Sequence, residues 1–265
     1  METVQVIVLA IIQGITEFLP ISSSGHLILV PHFLQWPDQG LAFDAAIHIG
    51  TLAAVVLYFR TQLTQMTTAW FGSLRTRQLT PDARLAWAVL WGTIPVGLAG
   101  LLFNDYIENN FRSPLLVATT LSAYGVLLWL ADRMGRRERD EYSMGWRDAM
   151  IIGVAQALAL VPGTSRSGVT MTAGLSLGLT REAAARYSFL LAVPGTALAA
   201  MLECWKMSRG AEAVDWQAVI LGIAVAAASG FLCIHFLLRF IQRIGMWPFT
   251  IYRLVLAAVI VYVFA

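Results

Sequence analysis

The sequence predicts an all-α polytopic membrane protein, an inverted-topology repeat with about six transmembrane helices and two re-entrant helical hairpins. Three observations lead there. Hydrophobic residues make up 58% of the chain and charged residues 13%, against about 25% charged in a soluble domain. Several runs without Asp, Glu, Lys or Arg are long enough to cross a hydrocarbon core, which takes roughly 20 helical residues. Two polar strings, Gln13-Gly14-Ile15-Thr16-Glu17-Phe18-Leu19-Pro20-Ile21-Ser22-Ser23-Ser24-Gly25-His26 and Pro162-Gly163-Thr164-Ser165-Arg166-Ser167-Gly168-Val169-Thr170, lie about half a chain apart inside apolar surroundings. These imply one integral membrane domain, 1–265, with repeat 1 at about 1–131, a loop at about 132–148 and repeat 2 at about 149–265.

In chain order, residues 1–42 hold the first string. No positive region precedes the first apolar stretch, so residue 1 reads as part of the mature fold and not of a cleavable signal. Spans follow at 45–59, 85–104 and 113–131, then at 187–202, 216–238 and 246–265. The short spans 45–59 and 187–202 can cross with tilt or snorkelling ends. Loop 60–84 carries Arg60, Arg75, Arg77 and Arg84 against Asp82, and loop 132–148 carries five arginines, which puts both on the cytoplasmic side. Loop 105–112 has one arginine and two acids, and loop 203–215 two basic residues and three acids, so both are expected outside. Arg239, Arg243 and Arg253 bring the chain back inside before the last span, and both termini then fall outside.

The halves align. Ser22-Ser23-Ser24-Gly25 matches Ser165-Arg166-Ser167-Gly168 at an offset of 143, Pro20 matches Pro162 at 142, and Gly50-Thr51 matches Gly195-Thr196 at 145. The loop charges send 45–59 inward and its counterpart 187–202 outward, so the repeat is inverted, as in many transport folds. No crossing is left for 1–42 or 149–186, which makes each a re-entrant hairpin. Irregular backbone at membrane depth is tolerated where protein or water covers it, so the two tips are expected to meet in a shared polar cavity.

Ionisable groups are costly at that depth and mark a functional site. Gln13 and Glu17 are four apart and share one helix face until Pro20 interrupts it. Ser22, Ser23 and Ser24 suit the start of the next helix, whose free N–H groups favour an anion. Thr164 and Ser165 stand in the same relation to the helix after Pro162-Gly163. Arg166 brings a planar fork that grips phosphate through two hydrogen bonds and keeps its charge. His26 lies three residues past Ser23, a spacing that suits proton exchange with a hydroxyl or leaving oxygen. Glu17 can orient the histidine, act as base or hold a divalent cation.

Other polar residues are read as structural. His32, His48 and His235 read as packing or interface residues, Asp44 as a cap, and the arginines of 133–139 as a topology signal. Cys204 and Cys233 lack metal-ligand spacing and read as packing. Tryptophans near the span ends form an interfacial belt. A net charge of +2 gives no footprint for nucleic acid. The partners expected are a lipid substrate and the surrounding membrane lipid, and a homodimer is compatible with the sequence.

At the two strings the chain closely resembles the bacterial undecaprenyl-diphosphatase family linked to bacitracin resistance. The likeness runs the whole length and rests on the (Glu/Gln)-x-x-x-Glu and Pro-Gly-x-Ser-Arg-Ser-x-x-Thr signatures, met here by Gln13 to Glu17 and Pro162 to Thr170. It implies an enzyme of the bacterial cytoplasmic membrane, its site opening outward, that converts undecaprenyl diphosphate to the monophosphate carrier with a divalent cation, Mg²⁺ or Ca²⁺. It also implies roles by position: Glu17 the essential acid, Ser23 the nucleophilic hydroxyl, His26 the catalytic histidine, Arg166 the phosphate clamp, and Ser165, Ser167 and Thr170 supporting contacts. Gln13 stands where many members carry a second glutamate, and Ser24 where many carry threonine. A cation would then rest mainly on Glu17, with Gln13 offering an uncharged carbonyl. Direct attack by water remains an alternative to serine attack, and a polyprenyl-phosphate transporter an alternative to the enzyme.

Overall fold

The computed structural model describes residues 1–37, 39–111, 113–209 and 215–264, with the side chains of 41, 104, 105, 108, 109 and 203–209 outside the described set. The expected packing of Cys204, and the loop charges of 105–112 and 203–215 apart from Asp215, lie outside the described residues.

Among those residues there are eleven α-helices and no strand. They are α1 (Thr3–Thr16), α2 (Ser23–Leu34), α3 (Leu41–Tyr58), α4 (Arg60–Thr76), α5 (Pro81–Asn110), α6 (Pro114–Met134), α7 (Trp146–Ala157), α8 (Arg166–Ser176), α9 (Arg181–Arg209), α10 (Trp216–Ile244) and α11 (Trp247–Phe264). Stretches of α5, α6, α9, α10 and α11 are long and apolar enough to span a bilayer, and a sixth span results if α3 and α4 count as one broken helix. Leu101, Leu102, Met201 and Ile220 point outward from these helices. An apolar helix that leaves its outer face uncovered suits a lipid solvent, and the chain is a multi-pass membrane protein.

Residues 60–76, expected as loop, instead form α4, set at 78° to α3. It is rich in Arg, Gln and Thr, and Gln62, Met66 and Ser73 are buried on one face. Ser73 Oγ accepts from Trp87 Nε1 of α5 at 3.2 Å, and Gln62 Nε2 donates to Tyr142 Oη at 3.1 Å. The helix thus lies along α5 as an amphipathic shelf.

Helix α10 packs on α1 and α3, α5 on α7 and α4, α6 on α11 and α8, and α3 on α9. Glycine permits the closest approaches: a Cβ at Gly153 of α7 would lie 2.5 Å from Gly92 O of α5. At one end of the bundle, Arg181 Nε and Nη2 meet Asp132 at 2.6 and 3.0 Å, and Met246 N donates to Asp132 at 3.0 Å. Separately, the Met1 ammonium lies 3.7 Å from Asp215 at the start of α10. Helices α1 and α2, with 14 and 12 residues, are about 21 and 18 Å long at 1.5 Å per residue, too short to cross alone.

Candidate active site

Both polar strings are breaks between short helices. Helix α1 stops at Thr16, Glu17 caps it, and the chain turns through Pro20 to Ser22. Helix α7 passes through a 3-10 turn, Leu158–Leu160, and Pro162-Gly163 to Ser165. Ser22 and Ser165 have φ, ψ of 73°, 97° and 69°, 112°, a left-handed φ that non-glycine residues seldom adopt. Such backbone costs about 1–3 kcal/mol and concentrates at functional sites. Each serine precedes a helix and meets the hydroxyl two residues on: Ser22 Oγ lies 3.2 Å from Ser24 Oγ, and Ser165 Oγ 3.3 Å from Ser167 Oγ. Ser165 Oγ also accepts from Gly168 N at 3.2 Å.

Glu17 joins the two breaks. Its Oε2 accepts from Ser23 Oγ at 2.6 Å and from Gln13 Nε2 at 3.1 Å, and its Oε1 accepts from Arg166 Nη2 at 2.8 Å. The pair is largely enclosed, with side-chain exposures of 10% for Glu17 and 22% for Arg166. Arg166 Nη1 reaches Thr196 Oγ1 of α9 at 3.4 Å. Ser23 is half-buried and Ser24 exposed. Thr164 is fully buried with its hydroxyl unpartnered, and Gln13 Oε1 is likewise buried and unpartnered. His26 turns away from Ser23: Nδ1 lies 2.7 Å from Ser22 O and Nε2 2.6 Å from Tyr252 Oη. Donation to a carbonyl assigns the proton to Nδ1 and leaves Nε2 to accept from the tyrosine. Ser167 Oγ donates to Leu19 O at 2.9 Å, and Thr170 Oγ1 donates to Arg166 O at 2.8 Å and meets Ser188 Oγ at 2.7 Å, so both hydroxyls tie the breaks to their surroundings.

A sequence comparison matches residues 6–259 to the family described as Bacitracin resistance protein BacA. The chain belongs to this family. It is 57% identical, over 100% of its length and 99% of the relative's, to Undecaprenyl-diphosphatase 2 of Stutzerimonas stutzeri strain A1501. It is 56% identical to Undecaprenyl-diphosphatase of Thioalkalivibrio sulfidiphilus strain HL-EbGR7 and 52% to that of Nitrosococcus oceani strain ATCC 19707, each covering 100% of both chains.

Around the two breaks stand three residues that local spacing in the sequence does not mark. Thr196 appears in the sequence only as half of the aligned Gly-Thr pairs. Tyr252 lies in an apolar run with no polar neighbour at helical spacing to mark it. Arg253 was counted among the charges returning the chain inside, and the structure corrects this: it lies within α11, 0% exposed, hydrogen-bonded to backbone carbonyls. Its partners are remote in sequence, so no local spacing signals them. His48, read as packing, bonds Asp44 O through Nδ1 at 2.8 Å.

Proposed function

We propose that this protein hydrolyses undecaprenyl diphosphate to undecaprenyl phosphate and inorganic phosphate, which renews the lipid carrier and accounts for bacitracin resistance. The observation that carries the chemistry is the continuous chain Ser23–Glu17–Arg166, in which a hydroxyl, a base and a cation from opposite halves meet within hydrogen-bond reach. The names of the full-length relatives supply the substrate class.

Ser23 Oγ already donates to Glu17, so the carboxylate is placed to take the proton as oxygen attacks the terminal phosphorus. The Arg166 fork exchanges Glu17 for phosphate oxygens, and the helix starts at Ser23 and Arg166 add N–H groups that favour the developing negative charge. Undecaprenyl phosphate leaves, and water then attacks the phosphoserine to free phosphate. His26 holds the Ser22 carbonyl through Nδ1 and can pass a proton between Nε2 and Tyr252. Ser22, Ser24, Gly163, Thr164 and Ser165 stand at the two breaks beside the proposed phosphate site, Ser24 exposed and the others buried.

The donors suit a hard divalent cation, Mg²⁺ or Ca²⁺: Gln13 Oε1 is buried without a partner beside the Glu17 carboxylate. When bound it would screen phosphate charge, with the substrate's own oxygens completing its shell. An apolar groove of about 530 Å³ between α5 and α9, lined by Leu90, Ile94, Leu98, Pro194, Leu198 and Met201 among others, suits the polyprenyl tail. Thr196, which accepts from Arg166, lies on α9 between the groove residues Pro194 and Ala197.

We also infer the inverted repeat, with α1–α2 and α7–α8 as re-entrant hairpins. Supporting this are the matching backbone of Ser22 and Ser165 and the reciprocal packing of α1 on α10 and α7 on α5. The Met1–Asp215 pair and the 4.8 Å contact of Phe264 with His32 fit a shared outer side for both termini, with the site facing the periplasm of the inner membrane.

The test is phosphate release by purified protein from a C55 diphosphate, with and without Ser23→Ala. Release by wild type and its loss in the variant, with phosphoserine trapped at Ser23, is the expected result. Full activity in Ser23→Ala would sink serine attack, and lipid binding without phosphate release would favour a transporter.

A further inference from the structure

We propose that Arg253 is the positioning residue that locks the two helix breaks together and presets the Ser165 peptide N–H to face phosphate. Its Nη1 donates to Pro20 O at 3.2 Å, and its Nη2 to Gly163 O and Thr164 O at 3.0 Å each. Its Nε donates to Leu121 O of α6 at 2.9 Å, and Nη2 also reaches Thr120 O at 3.4 Å. One side chain therefore ties the first break, the second break and α6. Among the described residues no carboxylate lies within ion-pair distance of it. A fully buried cation held only by carbonyls is costly to keep, and only a planar five-donor fork reaches so many acceptors at once.

The second break is pressed against the same place. Thr120 Oγ1 donates to Pro162 O at 2.7 Å, and a Cβ at Gly163, where φ is +86°, would lie 2.2 Å from that hydroxyl. Within a trans peptide the C=O and the following N–H point in opposite directions. By drawing Thr164 O toward itself, Arg253 turns the Ser165 N–H away, and this N–H has no acceptor among the described residues. The Ser165 peptide is thus fixed as a free donor at the start of α8, next to Arg166, without Arg253 touching substrate.

The inference rests on the phosphatase reading of the site, and the experiment separates the two. Arg253→Lys and Arg253→Met are purified beside wild type and assayed for kcat and KM of phosphate release. In parallel, nitroxide labels at the exposed positions Ile28 of α2 and Ser176 of α8 report the spacing of the two helices that follow the breaks. Expected for Arg253→Met is a fall in kcat of about 10²-fold, as for loss of a preorganised donor, with KM within about threefold and a broadened distance distribution in a protein that elutes as folded. Arg253→Lys, with one ammonium, is expected to recover only part of kcat. A kcat within threefold of wild type in Arg253→Met, or an unchanged distance distribution despite lost kcat, overturns the proposal. Loss of the folded peak in both variants also overturns it, since Arg253 would then serve the stability of the bundle. If wild type itself releases no phosphate, the phosphatase reading fails, while the label distances still decide whether Arg253 holds the breaks in register.

Discussion

Replacing Glu17 with glutamine keeps the shape of the side chain and removes its charge. Three donors converge on the native carboxylate: Arg166 on Oε1, and Ser23 with Gln13 on Oε2. A glutamine must turn its NH₂ toward one of these groups, so one donor faces another, and Ser23 loses its base in either orientation. Removing one partner of a buried ion pair costs about 3–5 kcal/mol. Arg166 is 22% exposed, so water offsets part of this and about 1–3 kcal/mol of stability is expected to go. Loss of a general base lowers the rate about 10²–10⁴-fold, or about 2.7–5.4 kcal/mol at 1.36 kcal/mol per tenfold. Initial rates of phosphate release from a polyprenyl diphosphate in detergent, compared with wild type at equal folded protein, measure this. A Glu17→Gln variant within threefold of the wild-type rate would refute the assignment of Glu17 as the base.

Three further outcomes are expected. Arg166→Lys should lose at least about tenfold in kcat/KM, because a single ammonium cannot reproduce the two-pronged grip on phosphate; near-native kinetics would remove the clamp. Chelation with EDTA should suppress phosphate release and Mg²⁺ or Ca²⁺ restore it, with Gln13→Ala raising the cation concentration needed for half-restoration; activity indifferent to EDTA would argue against a cation at Gln13 and Glu17. Gly153→Ala sets a methyl 2.5 Å from Gly92 O and should lower stability by about 1–3 kcal/mol through overpacking, read as an earlier thermal unfolding transition; unchanged melting would show that α5 and α7 yield without cost.

What could be read from sequence follows the range of the forces involved. Gln13 and Glu17 sit one turn apart on α1, and the Ser-rich starts of α2 and α8 lie within each string, so local spacing was enough to expose them. The long spans announced themselves through lipid-compatible composition. Helix α4 did not, because its polar surface resembles a loop and its ordering comes from contacts with Trp87 and Tyr142. The hydroxyls of Ser167 and Thr170 looked available for phosphate, whereas their bonds to Leu19 O and Ser188 come from neighbours 148 and 18 residues away. Arg253 and Tyr252 lay furthest from reach: their partners are backbone carbonyls 89 to 233 residues away and an imidazole 226 residues away. In sequence, an arginine near the start of an apolar run looks the same whether it snorkels or is buried.

The reciprocal placement of α1 against α10 and of α7 against α5 bears on how such a molecule is made. Helix α1 packs mainly on α10, and α7 mainly on α5, so a chain severed near residue 140 would yield two pieces whose leading helices lack their main partner until they meet. Insertion during synthesis must therefore leave α1 waiting until α10 emerges more than 200 residues later.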